Sequence, residues 1–137
     1  MEQADERARD GRNRVLISAY ACGPVPEPEA SAGWQIATAA ARSHEVWVIT
    51  RPRFRESIER ALSEDAALRR HLHVAYLDLS PGILRHKRRG TDLYWYYALW
   101  QRALGRRARS LHASVGFDVA HHVTFANDWM PCGLTTL

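Results

Sequence analysis

The feature that most constrains this chain is a repeated change of hydrophobic pattern, from short apolar runs to longer stretches with helical spacing. The apolar runs, rich in β-branched residues, occupy Arg14–Tyr20, His44–Thr50, Leu72–Leu77 and Phe117–Val123. Helical patterns separate them over Ser31–Arg42, Phe54–Arg70 and Thr91–Ser114. Strands that alternate with helices pair in parallel through right-handed crossovers. The sequence therefore predicts an α/β domain with a Rossmann-like open parallel sheet and strand order 3-2-1-4.

The segment after the first strand is predicted to be a long loop from Ala21 to Ala30, because it contains three prolines, and Ser31 is the expected N-cap of the next helix. Its glycines, Gly23 and Gly33, are too far apart for the dinucleotide-binding turn, and no phosphate-binding P-loop motif is present. Placed in the first helical turn, Gly33 would present a backbone N–H to an anion. The alternative is that Gly33 only permits close packing of helix on sheet.

Polar and aromatic side chains of the same region are candidates for contact with a ligand. Glu27 and Glu29 lie in the loop, where carboxylates bind sugar hydroxyls or act as a base, and Trp34 begins the helical stripe. The alternative for both carboxylates is plain solvation. Arg51 and Arg53 follow the second strand, where the 2′-phosphate of NADP would lie, but the missing glycine fingerprint disfavours an NADP enzyme.

His121 and His122 end the fourth predicted strand. Ligands of open parallel sheets bind at the carboxyl ends of the strands, close to the point where the strand order reverses. Because side chains alternate across a strand, one of the two histidines points into each layer. A neutral imidazole there would donate to a hydroxyl or phosphate, or accept a proton. A purely structural role is the alternative, and no third ligand at metal-site spacing accompanies them.

A basic stretch precedes the last helix and contains Arg85, Lys87, Arg88 and Arg89. It is a candidate for contact with a phosphate or with an anionic membrane surface, against the alternative of simple solvation. The net charge of +4 says little about the binding partner. Lys87 is the only lysine, and this preference for arginine reflects coding composition as much as a selected basic patch. The aromatic and arginine residues of the following helix are explained by an apolar stripe and a solvated face. Nucleic acid is therefore not an expected partner.

The remaining sequence favours a cytoplasmic protein. Residues 1–13 are charged, lack the apolar region of a secretory signal and are expected to be a disordered leader to one domain over residues 14–137. No apolar run approaches the roughly 20 residues that span a bilayer. Cys22 and Cys132 are far apart and are expected to be reduced thiols. A peripheral contact with the inner face of the membrane is compatible with these features.

Several segments together resemble the N-terminal domain of family 4 retaining glycosyltransferases, which have the GT-B fold. The resemblance covers the chain from about Arg14 onward, in the same order and at compatible spacings. The segments are Arg14–Cys22, Glu27-Pro28 leading to Gly33-Trp34, His44–Arg51, Tyr96-Tyr97 with Leu99-Trp100-Gln101, and Phe117–Phe125.

The resemblance implies two Rossmann-like domains with the active site in the cleft between them, and the main role of the N-terminal domain is to hold the acceptor. It implies that Gly23 and Gly33 belong to a donor-phosphate loop, in which Gly33 brings its N–H towards the diphosphate. It also implies that a histidine after the fourth strand, His121 or His122, lies near the reacting sugar. The family usually spaces two histidines by one residue, whereas His121 and His122 are adjacent. A nucleotide-sugar donor is the expected co-substrate, with no metal or other cofactor. Because the family's donor domain lies beyond residue 137, the chain is expected to be C-terminally incomplete and inactive alone. A non-catalytic binding module or degenerate remnant remains the alternative.

Overall fold

The structure is a computed structural model that describes residues 11–79, 92–123 and 132–137. Its strands are β1 (Arg14–Ala19), β2 (Glu45–Thr50), β3 (Leu72–Tyr76) and β4 (Val119–Val123). Its helices are α1 (Pro28–Ala40), α2 (Arg55–Glu64), α3 (Ala66–His71) and α4 (Asp92–Val115), with short 3-10 turns at Pro52–Phe54 and Gly133–Thr136. The predicted alternation of strands and helices is confirmed.

The four strands form one parallel sheet in the order β3-β2-β1-β4, as the sequence predicts. β1 pairs with β2 from Arg14 opposite Glu45, and with β4 from Val15 opposite Val119. The strand order reverses between β1 and β4. The carboxyl ends of these two strands therefore lie side by side, as expected for a ligand-binding end of the sheet.

Two hydrophobic cores lie on opposite faces of the sheet. Val15, Ile17 and Ala19 of β1 point towards α1 and α2, where buried alanines let α1 approach the sheet closely. The alternate residues Leu16 and Tyr20 point towards α4. On that helix the predicted stripe is confirmed by four buried residues, Tyr97, Trp100, Leu104 and Ala108. The domain therefore has three layers, with α1 and α2 on one face and α4 on the other.

Two helix boundaries predicted from sequence are wrong. α1 begins at Pro28 and not after Ser31, because a proline at the first helical position loses no hydrogen bond and already has a helical φ angle. The predicted helix over Phe54–Arg70 is divided at Asp65, whose extended backbone ends α2. The Asp65 carboxylate then accepts a 2.9 Å hydrogen bond from the Leu68 N–H and caps α3.

The C-terminal end of α4 follows the sequence expectation. Gly116 stops the helix with a positive φ of 70°, a backbone conformation that glycine adopts without a Cβ clash. None of the helices in the described parts of the chain has the length and hydrophobicity that a membrane span requires. Most of the predicted leader, the basic stretch with Arg85, Lys87, Arg88 and Arg89, and the stretch 124–131 lie outside the described residues.

Candidate functional site

Polar side chains gather at the carboxyl ends of the strands, on the face of the sheet that α4 covers. We refer to them as the carboxyl-end cluster. They come from all four strands or the residues just after them, and from the start of α4. The members are Ser18, Tyr20, Arg51, Asp78, Tyr96, Tyr97 and His122.

His122 is the central histidine of the cluster. Its Nδ1 lies 2.6 Å from the Ser18 hydroxyl oxygen, and its Nε2 lies 3.3 Å from the Tyr97 hydroxyl oxygen. The register explains the first contact, since Ser18 and His122 are direct neighbours across β1 and β4. Ser18 is fully buried, so its hydroxyl needs a partner inside the protein. The imidazole ring is therefore held between a strand and a helix.

Burial also fixes the charge state of His122. Desolvation lowers the pKa of its imidazole below the ordinary value of 6.5, and the neighbouring His121 lowers it further. At neutral pH the ring is therefore uncharged, with one nitrogen that donates and one that accepts. A neutral imidazole of this kind can donate a hydrogen bond to a ligand or accept a proton from it.

His121 lies apart from the cluster. It pairs in register with Ile17, whose side chain belongs to the opposite face of the sheet, and it is exposed. The expectation that adjacent histidines point into different layers is therefore confirmed. Of the two candidates, the structure brings only His122 together with other polar side chains of the cluster.

Arg51 supplies the cation of the cluster. Its Nε donates a 2.8 Å hydrogen bond to the Tyr20 carbonyl oxygen, and its guanidinium lies 3.7 Å from the centre of the Tyr20 ring. Burial lowers the pKa of the Arg51 guanidinium, since desolvation disfavours the charged form. Burial likewise raises the pKa of the Tyr20 hydroxyl, so that side chain is neutral.

Asp78 supplies the carboxylate. It follows β3 and accepts hydrogen bonds from the Tyr96 hydroxyl and, at 2.9 Å, from the Leu79 N–H. Trp100 donates from its indole to the Leu77 carbonyl at 2.8 Å, which fixes α4 against the end of β3. The cluster thus combines a cation, a carboxylate, a neutral imidazole and three phenols, a set suited to binding a polyhydroxylated or anionic ligand.

Gly23 of the first loop and Gly33 of α1 are both used in packing. Gly33 lies in the second turn of α1 and is buried, and a Cβ added there would lie 2.6 Å from the Ala21 carbonyl oxygen. The N–H of Gly23 donates to the Ala30 carbonyl at 3.1 Å, and an added Cβ would lie 3.2 Å from the Phe54 ring. The expected place of Gly33 in the first helical turn is wrong, because α1 begins earlier. The close-packing alternative matches this geometry.

The other candidates of this region have different surroundings. Glu27 forms a two-point ion pair with Arg53, at 2.5 and 3.1 Å, and Glu29 is exposed in the first turn of α1. Trp34 is half-buried against the core on the α1 face. With Arg53 bound to Glu27 and Arg51 bound to Tyr20, both arginines considered for an NADP phosphate already have partners within the chain.

Sequence reasoning missed Ser18, Tyr20, Asp78, Tyr96 and Tyr97 as parts of a site. The sequence did contain a signal for Ser18, because a hydroxyl group inside an apolar strand needs a hydrogen-bond partner within the protein. Within the described part of the chain, no group of three or more His, Cys, Asp or Glu side chains is arranged to hold a metal ion.

Comparison with known proteins adds no relative to this description. No family model matches the chain, and neither the curated proteins nor the solved structures contain a match to it.

Proposed function

We propose that this chain is the acceptor-side domain of a glycosyltransferase that takes a sugar from a nucleotide-sugar donor. The observation that carries the proposal is the position of His122, a neutral histidine held by Ser18 and Tyr97 where the strand order reverses. The resemblance of the sequence to family 4 glycosyltransferases puts a histidine at this strand end.

The geometry around His122 suggests how an acceptor would bind. The 2.6 Å contact with Ser18 is short, whereas the 3.3 Å contact with Tyr97 lies at the long end of the hydrogen-bond range. An incoming sugar hydroxyl would replace the Tyr97 contact at Nε2 while Ser18 kept the ring in place. Arg51 and Asp78 would then offer a donor and an acceptor to neighbouring hydroxyl groups.

Binding is the direct test of the acceptor-side role proposed for His122, Arg51 and Asp78. We expect an acceptor-type oligosaccharide to shift the side-chain NMR signals of His122 and Tyr97. His122→Ala should weaken binding about tenfold, as expected for the loss of one well-placed hydrogen bond. His121→Ala is the matched control and should bind as the unmodified chain does.

Two results would contradict the proposal. Equal loss of binding in both histidine variants would mean that saccharide binding does not depend on His122 in particular. Tight binding of a nucleotide sugar by this chain, with no response to acceptor-type saccharides, would mean that the domain binds the donor and not the acceptor.

A second candidate is a binding module without transferase chemistry. It is favoured by the first loop, where Gly23 donates its N–H to Ala30 and Gly33 is packed against Ala21, so neither faces a donor phosphate. Calorimetry with a saccharide panel separates the two candidates when it is repeated with a donor-binding domain present. A transferase predicts that a nucleotide sugar then strengthens saccharide binding, whereas a simple module predicts no change.

A further inference from the structure

A second concave site lies on the outer side of α4, away from the sheet. It is a cavity of about 830 Å³ between α4 and the segment that starts at Cys132. This volume falls within the range of small-molecule binding sites, roughly 300–1,000 Å³. The lining residues that matter for its chemistry are Ala98, Leu99, Gln101, Arg102, Arg106 and Cys132.

Gln101 is the polar residue at the base of this cavity, and it is only 1 % exposed. Its Oε1 accepts a 2.9 Å hydrogen bond from the Gly133 N–H, which identifies the other amide atom as Nε2 because a backbone N–H can only donate. Among the described residues, Nε2 has no hydrogen-bond partner, although it is buried. A buried amide donor without an acceptor is destabilising, because it has lost its hydrogen bond to water, so this atom calls for an acceptor from outside the described residues.

The rest of the lining has a consistent chemistry. Arg102, Arg106 and Arg109 are exposed and contribute three positive charges, and none of the described residues that line the cavity is acidic. Ala98 and Leu99 are half-buried and give it an apolar wall. A matching ligand therefore has a hydrogen-bond acceptor with negative charge and an apolar body.

We propose that this cavity binds an anionic amphiphile, with an acidic head group at Arg102, Arg106 and Gln101 and an alkyl chain along Ala98 and Leu99. The head group is a carboxylate, as in a fatty acid, or a phosphate, as in a single-chain lipid phosphate. This site differs from the carboxyl-end cluster, which lies on the sheet side of α4. The inference stands independently of the transferase proposal.

Cys132 gives a local test, because it lines the cavity and is half-buried. Cys22 is the internal reference, since burial raises its pKa to about 12 and keeps its thiol unreactive. The purified chain is alkylated with iodoacetamide in the presence of dodecanoate, dodecyl phosphate or the neutral dodecyl maltoside, each below its micelle concentration. Mass spectrometry then follows the modification of Cys132.

We expect both anionic amphiphiles to protect Cys132 and the neutral one to protect it far less. The more effective of the two identifies the head group. Replacing Arg102 and Arg106 by Gln should weaken protection at least about tenfold, the typical effect of losing a charge-assisted hydrogen bond. Arg107→Gln is the matched control, because Arg107 is exposed on the same helix but lies outside the lining.

A filling variant, Ala98→Trp, should also abolish protection without loss of positive charge. Circular dichroism confirms that each variant is folded before it is compared. Equal protection by the neutral amphiphile would overturn the proposal, as would no protection by any of the three. A loss in Arg107→Gln as large as in the double variant would show that general charge, not this cavity, attracts the amphiphile.

Discussion

The substitution Gly33→Ala tests whether close packing of α1 against the loop after β1 requires glycine at this position. In the structure the added Cβ would lie 2.6 Å from the Ala21 carbonyl oxygen, well inside van der Waals contact. The obstacle is a backbone atom, so it cannot rotate away as a flexible side chain would. The methyl group also faces Cys22 at 3.4 Å, and relaxation must therefore move α1 or the loop after β1.

Two opposing contributions set the magnitude of this effect. Alanine in a helix interior is favoured over glycine by about 1 kcal/mol. Overpacking of a closed contact typically costs about 1–3 kcal/mol, and a clash with fixed backbone belongs at the upper end of that range. The net expectation is that Gly33→Ala lowers the free energy of unfolding by about 1–2 kcal/mol.

Urea unfolding followed by tryptophan fluorescence measures this difference as a lower midpoint with an unchanged slope. Ala32→Gly is the matched control, because Ala32 is exposed in the same helix and reports the helix-propensity contribution alone, about 1 kcal/mol. A Gly33→Ala variant as stable as the unmodified chain, or more stable, would refute the packing explanation.

Three further predictions concern protonation and backbone geometry. Burial lowers the pKa of His122, so the free energy of unfolding should fall as the pH drops below about 6.5 towards that lowered pKa. Urea unfolding at pH 7.5 and 5.5 measures this fall, and His122→Asn should remove the part that His122 contributes. Burial raises the pKa of Glu45, but hydrogen bonds with His71 and His73 at 2.8 and 2.6 Å outweigh it and hold the pKa below 4.5. The stability this carboxylate contributes is therefore lost as the pH falls below about 4.5, and Glu45→Gln should show a smaller drop in melting temperature between pH 6 and pH 3. Gly116→Ala forces alanine to a φ of 70° and should lower the free energy of unfolding by about 1–2 kcal/mol. Thermal unfolding measures this loss, and an unchanged melting temperature would contradict the role of Gly116 in ending α4.

The order of the elements was predictable because it depends on local hydrophobic patterns, which do not change with the tertiary contacts that each element makes. Apolar runs such as Arg14–Tyr20 and Leu72–Leu77 are too short for helices and too apolar for exposed strands. The helix boundaries were less predictable because single residues decide them. Pro28 is read as a helix breaker until its place at the first helical position is known, and Asp65 ends one helix and caps another.

The candidate site was only partly predictable, because its contacts join residues far apart in the chain. The two histidines could be placed at the end of β4 from the pattern alone. Which of them meets a partner depends on the register of β4 against β1, which sets His122 beside Ser18. The approach of Tyr97 and the pairing of Glu27 with Arg53 depend on how helices and loops dock, and local sequence carries no signal for that.

The position of β4 has a practical consequence for work with the isolated chain. Among the described residues, β4 has a neighbouring strand on one side only, and Val119, Ala120 and His121 are exposed, with Val119 at 49 %. Open strand edges with exposed apolar residues act as templates on which further chains pair. Self-association at this edge would therefore grow with protein concentration. Binding experiments should be done at low concentration, with light scattering as a check for aggregates.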